Sequence, residues 1–405
     1  MLLDRFISSD EFLKYYVRQM TNFSQKAVGD YPSEVRKDFL NRITAEQEYM
    51  ENNYAPKEMY KIVDSKALEN VKLLYKNLKR LEGKNILFGH QDDLAYGNGW
   101  KYIPKASDVE RVTGQYPAVI GHDLGHIGNK NNVDSVPFDL IRKNIIDAYN
   151  MGAVNTVSWH MKDLVNGGEA WVGPQGKTVN TVKEILPGAP YHARLLQKLD
   201  LAADFFHSLK DANGNLIPVI FRPYHEHNGD WFWWGRKHCS NDDYKYLFRF
   251  TVNYLMNVKG VHNLLIAYSP NSVQNKKEYL ERFPGKSYVD IVGFDNYQTG
   301  KKTSQQYIDD MERNLKILCD VSKSMDKIAA VTETGYECIP ESKWWTKTLY
   351  KAISKYPIVY VLCWRNGRPD HYYVPYPGQK SCTDFKVFCR LPEIKLLDKD
   401  LILYK

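Results

Sequence analysis

Within FRPYHEHNGDWFWWG, residues 221–235, the chain sets one arginine, two histidines, a glutamate and three tryptophans. The stretch follows LIPVI, a short apolar run of strand type, so a buried strand ends near Phe221 and opens into a polar, aromatic loop. A packing loop has little need of Arg222, His225, Glu226 and His227 so close together. Buried charge is costly unless paired, so such groups collect where chemistry uses them. Trp231, Phe232, Trp233 and Trp234 add flat apolar faces beside Glu226. A sugar ring, apolar on its faces and hydroxylated on its rim, suits that combination.

One carboxylate is half of a machine. The second candidate is Glu333, in VTETG. Alone it reads as a capping or ion-paired acid. Paired with Glu226 it equips the chain for glycoside hydrolysis, in which one carboxyl protonates the leaving oxygen and the other attacks the anomeric carbon or activates water. Aromatic neighbours and two histidines favour a protonated Glu226 through desolvation. Glu333 needs donors to stay ionised, and Tyr297 and Arg222 can supply them.

A metal site competes for the same residues. His90, His122, His126, His160, His225 and His227 stand with Asp92, Asp93 and Asp123, and zinc takes three or four such ligands. Against zinc, the His-x-His pair of barrel metallohydrolases belongs after the first strand, where this chain has HQD, and no HExxH occurs. The expectation is catalysis without metal or other cofactor.

The elements that must position these residues recur along the chain. Apolar runs stand at 85–90, 117–123, 153–160, 216–226, 264–270, 289–297, 327–335 and 357–366. Amphipathic helix patterns cover 138–150, 191–210, 241–258, 304–325 and 343–356. Strands alternating with helices predict an α/β fold with a parallel sheet, and eight units predict a closed (β/α)8 TIM barrel. An open doubly wound sheet is the alternative, but no GxGxxG follows the first run. His90, His122, Asp123, His160, Glu226, Asp295, Tyr297, Glu333, Trp364 and Arg365 all fall at the C-terminal ends of runs. In a parallel barrel those ends share the face that carries the active site. Long loops at 90–105 and 160–190, with Trp100 and Trp171, rim that face.

Upstream, residues 1–64 read as an N-terminal helical extension and 65–405 as the catalytic domain, entered through a helix at 65–81. The net charge of +7 comes from 55 basic and 48 acidic residues without a long basic block, which argues against a nucleic-acid partner. No run is long enough to span a membrane. Six cysteines without a CxxC pair leave both a disulfide and free thiols open. The N-terminus lacks the pattern of a signal peptide, which leaves an intracellular enzyme or a removed signal.

From about residue 65 to 390 the chain resembles glycoside hydrolase family 26, whose best-known members are β-mannanases. ILFGHQDD, GHDLGH, RPYHEHNGDWFWWG, VGFDNY, TETG and CWRN carry the resemblance in order. It implies that Glu226 is the acid/base and Glu333 the nucleophile of a retaining mechanism, with carboxyl groups about 5–5.5 Å apart. It further implies that His225 positions the acid/base, that Tyr297 bonds the nucleophile, and that His160, Trp231, Asp295, Trp364 and Arg365 shape sugar subsites. His90 and Asp123, at strand ends, are added as substrate contacts, and Arg222 as catalytic support. The expected substrate is a β-1,4-mannan, glucomannan or galactomannan, with β-1,3-xylan or mixed-linkage β-glucan as the alternative. The expected enzyme is a monomer, secreted, periplasmic or at the cell surface.

Overall fold

The computed structural model describes residues 61–172 and 179–404. The helical pattern expected before residue 61 lies outside the described residues. The eight apolar runs are eight parallel strands: β1 (Ile86–Gln91), β2 (Val119–Asp123), β3 (Val154–Trp159), β4 (Val219–Pro223), β5 (Leu264–Tyr268), β6 (Ile291–Gln298), β7 (Ile328–Tyr336) and β8 (Tyr360–Cys363). Each pairs with its neighbours in sequence, and β8 pairs back onto β1, so the sheet closes. The (β/α)8 barrel expected from the alternation is the fold observed. Among the described residues no helix is long and apolar enough to cross a membrane. The six cysteines are unpaired thiols.

Helix α1 (Glu69–Leu81) precedes the barrel and begins later than its sequence pattern suggests. The Asp64 carboxylate accepts from the Lys66 amide, and the Leu68 amide donates to the His262 carbonyl, so residues 65–68 are held in a turn. Val71, Leu74, Tyr75 and Leu78 then share one cluster with Leu87, Val119, Ile220, Leu265, Ile291, Ile328 and Leu362 from seven strands. Their 3–4 spacing makes one apolar stripe, and that stripe packs into the barrel's interior cluster. Burying each such side chain contributes about 1.5–3 kcal/mol.

Between the strands run α2 (Asp108–Thr113), α3 (Phe138–Met151), α4 (Thr181–Ile185), α5 (His192–His207), α6 (Asn241–Asn253), α7 (Lys276–Leu280) and α8 (Ser304–Met325). The expected 343–356 helix is a π-turn, Trp345–Tyr350, followed by α9 (Lys351–Ile353). Helix α10 (Cys382–Cys389) follows β8. Local chemistry fixes the ends. Ser240 caps α6 through the Asp243 amide, and Thr303 with Gln306 forms a reciprocal capping box on α8.

Strand parity decides which residues reach the active face. In β4, Ile220 belongs to the interior cluster, while Val219 and Phe221 belong to the outer one, so Arg222 faces inward. In β7, Ile328 and Ala330 are interior and Val331 exterior, which would aim Glu333 at the helices. A bulge prevents this. Phe294 pairs with Val331 but Asp295 with Glu333, and on the other side Val361 pairs with Val331 but Cys363 with Thr334. One extra residue in β7 lets Thr332 and Glu333 both turn toward Asp295. The Thr332 hydroxyl donates to the Asp295 carboxylate at 2.7 Å, while Thr334 pairs outward with Tyr307 of α8.

Candidate active site

Glu333 is bonded through both oxygens. The Arg222 guanidinium donates to Oε1, and the Tyr297 hydroxyl donates to Oε2 at 2.8 Å. Arg222 also donates to Asp295 at 2.9 Å and to the Ser269 hydroxyl at 3.0 Å. Burial disfavours the guanidinium's charge, yet the two carboxylates outweigh it and raise the Arg222 pKa. His225, Asp295 and Glu333 offer ligand atoms within 4.8 Å of one another. A cation already sits among them, because Arg222 bridges Asp295 and Glu333.

Glu226 lies on the elbow beyond β4. Tyr224 and Glu226 adopt φ of 50° and 52°, a region non-glycine residues rarely occupy. Four donors hold the strained turn. Tyr244 donates to the Tyr224 carbonyl at 2.9 Å and Trp234 to the His225 carbonyl at 2.8 Å. The Glu226 amide donates to the Ser269 carbonyl at 2.8 Å, and Arg282 donates to the His227 carbonyl. The Glu226 carboxyl itself receives the Trp231 indole N–H at 2.7 Å. Gly229 leaves room for that indole: a Cβ there would stand 2.4 Å from the ring.

Charge allocation separates the two glutamates. Glu226, Asp295 and Glu333 share one guanidinium, whose donors go to Asp295 and Glu333. Burial first, then the Asp295 and Glu333 carboxylates, push Glu226 well above the ordinary carboxyl range. Burial raises Asp295 as well, to about 8, although Arg222 bonds it. A raised carboxyl beside one bonded by two donors is the arrangement a proton donor needs. Burial, Arg222 and His160 push His225 well below its ordinary value, so it is a neutral imidazole. Its Nε2 stands 3.9 Å from Glu333 Oε1, and the hydrogen bond to Glu226 comes from Trp231 instead.

The remaining sequence candidates divide by exposure. His160 Nδ1 bonds Asp123 at 2.7 Å. Burial alone would lower this imidazole's pKa, but Asp123 more than offsets it and the value is raised. The His160 ring stacks on Trp171 at 5.0 Å and meets Trp364 edge-on at 5.9 Å. Trp231, Trp364 and Arg365 are half-buried and keep some open surface, with Arg365 paired to Asp134 at 3.0 Å. His90, Asp123 and Asp295 are each 0 % exposed, so direct contact with substrate is not what they offer here. His90 belongs to the outward parity of β1 and bonds Asp93 at 2.7 Å. Asp123 stands behind His160, and Asp295 behind Arg222. His122 is likewise a core histidine, bonded to Asn155 at 3.0 Å and lowered by burial to about 4.

The aromatic run also sorts itself. Phe232, Trp233 and Trp234 are buried, with Trp233 donating to the Met161 carbonyl at 2.8 Å. Of the four rings read as sugar faces, Trp231 alone keeps open surface. Trp171 adds another from the loop after β3: it is 46 % exposed and paired in a bridge with Phe232. Its signal in sequence was only its place in a long rim loop.

Residues 63–366 match the profile of glycosyl hydrolase family 26. A Bacteroides ovatus β-mannanase structure of that family aligns with TM-score 0.80 and 46% identity, covering 83% of this chain and 97% of that one. A Cellulomonas fimi endo-β-1,4-mannanase double mutant aligns with TM-score 0.78 and 32% identity, over 85% and 79% of the two chains. A mannan endo-1,4-β-mannosidase of Bifidobacterium adolescentis is 32% identical over 376 residues, 85% of this chain; the chain spans 36% of that relative's length. With the barrel, the two glutamates at its mouth and a match over most of the described chain, this protein belongs to glycosyl hydrolase family 26.

Proposed function

We propose that the protein cleaves β-1,4-mannosidic linkages in mannan, glucomannan or galactomannan with retention of configuration. The observation that carries the reading is the unequal treatment of the two glutamates. Glu226 has the raised pKa of an acid, with a single indole donor, while Glu333 is bonded by Arg222 and Tyr297. Glu226 protonates the glycosidic oxygen as Glu333 attacks the anomeric carbon. The bond to the leaving sugar breaks, and a glycosyl ester forms on Glu333. Glu226, now ionised, takes a proton from water, which attacks the same carbon and frees Glu333. Trp231, Trp364 and Trp171 provide the apolar faces, and His160 and Arg365 the polar contacts, for neighbouring sugars. The names of the Bacteroides and Bifidobacterium relatives support mannan as the polymer. We further propose a monomer acting outside the cytoplasm or at the cell surface, where polymer is reached.

Two measurements test this. Product profiles on mannan, glucomannan, galactomannan, β-1,3-xylan and mixed-linkage β-glucan should show turnover concentrated on the mannans. Preference for xylan or glucan would overturn the substrate. Azide should rescue Glu333→Ala with an adduct of inverted configuration, and Glu226→Ala with one of retained configuration. Inverted products from the parent enzyme would refute the nucleophile.

A further inference from the structure

We infer that Arg282 is a positioning residue for the acid/base carboxylate, acting through the loop that carries Trp231. The inference rests on reading Glu226 as the acid/base. Arg282 lies between α7 and β6 and is 1% exposed. Its donors reach across to the loop after β4. Nη1 donates to the carbonyls of His227 and Trp234, the latter at 3.1 Å. Nη2 donates to the carbonyls of Cys239 and Ser240, each at 3.3 Å, and to the Cys239 thiol at 2.8 Å. The guanidinium lies over the Tyr244 ring at 4.5 Å, and that ring packs on His227 at 4.4 Å. No carboxylate forms an ion pair with it among the described residues.

A buried guanidinium whose hydrogen bonds all go to main-chain carbonyls and a thiol is an unusual choice if the need is only for packing. What it fixes is specific. His227 follows Glu226 directly, and the carbonyls of residues 234, 239 and 240 close the far end of the same loop. Trp231, the residue that donates to Glu226, lies between the two pinned ends. Arg282 therefore sets the span over which the indole must reach the carboxyl. A misplacement of about 1 Å at such a contact costs on the order of 100-fold in rate.

The test separates leaving groups. A sugar leaving group needs the proton from Glu226, and a dinitrophenolate does not. In Arg282→Lys, kcat/KM on mannotetraose should fall about 10- to 100-fold. The pre-steady-state burst of dinitrophenolate from 2,4-dinitrophenyl β-mannobioside should change less than about threefold. Arg282→Gln, which removes the buried charge but keeps two donors, provides a second variant should the lysine fail to fold, and should show the same selective loss. Combining Arg282→Lys with Trp231→Phe should cost little beyond Trp231→Phe alone, since one acts through the other. Equal losses on both substrates, additive losses, or none would overturn the proposal. Glu226→Ala is the control: if it fails to show the leaving-group dependence, the acid/base reading fails instead.

Discussion

Replacing Glu226 by glutamine should stabilise the protein, and by an amount that grows with pH. In the folded state burial and the Asp295 and Glu333 carboxylates raise the Glu226 pKa well above its ordinary 4.5. The sign follows from proton counting. Above pH 4.5 the unfolded chain gives up this proton while the folded protein keeps it. The folded state then binds more protons, and stability falls as pH rises until the folded pKa is reached. Glutamine carries no such proton. Through the window the folded Glu226 is neutral, as glutamine is, so Arg222, Asp295 and Glu333 meet the same charge in both proteins. Asp123, whose burial is outweighed by His160 so that its pKa is lowered, titrates identically in both and cancels.

The advantage of Glu226→Gln over the parent should be close to zero near pH 4 and rise by on the order of 1 kcal/mol per pH unit. For a domain this large, that corresponds to roughly 2 °C in Tm per unit. Paired thermal melts of both proteins at one scan rate, between pH 4 and 7, provide the measurement. An advantage independent of pH, or largest at pH 4, would refute the raised pKa and with it the reason for assigning the proton to Glu226. Activity on mannan should be lost at every pH.

Tyr297→Phe removes a 2.8 Å bond to Glu333; hydrogen bonds to charged groups contribute about 1.5–3 kcal/mol, so kcat/KM should fall by roughly 10- to 150-fold. Trp364→Ala should weaken turnover by about 1–3 kcal/mol through lost ring contact, and unchanged kinetics would place the ring away from sugar. Prolonged EDTA treatment should leave activity intact; loss that zinc restores would overturn the carboxylate mechanism. Deleting residues 1–60 should lower stability or solubility more than turnover, whereas a stable truncation with altered products would make that segment part of the cleft.

Much of this was legible because it rests on short-range pattern. The strands are apolar runs between helical periods, so all eight were visible, and closure followed from their number. Glu226 stood out because its neighbours were chemically crowded. Exposure was less legible, since it depends on which way a side chain points. His90 sits at a strand end like Glu333, but the parity of β1 sends it outward. Trp233 and Trp234 look like Trp231 in sequence, yet they are buried as indole donors to the Met161 and His225 carbonyls. Arg282, in YLERFPGK, is indistinguishable from a solvated surface arginine until the chain brings it beneath the loop after β4.

The bulge in β7 had no signature in VTETG, and the proposed division of labour depends on it. In regular register, Thr332 would face inward and Glu333 would meet the helices. Arg222 would then pair with Asp295 alone, leaving Glu226 opposite an unopposed ion pair rather than an extra carboxylate. With the bulge, Glu333 claims the second arm of the guanidinium, and Tyr297 completes its bonding. Three acids are left with one arginine between them. Burial raises Asp295 to about 8 even with its bond to Arg222, and raises Glu226, which has only an indole donor, well above the ordinary carboxyl range. On the proposed assignment of Glu226 as the acid, the register of β7 is what brings Glu333 onto Arg222 and Tyr297.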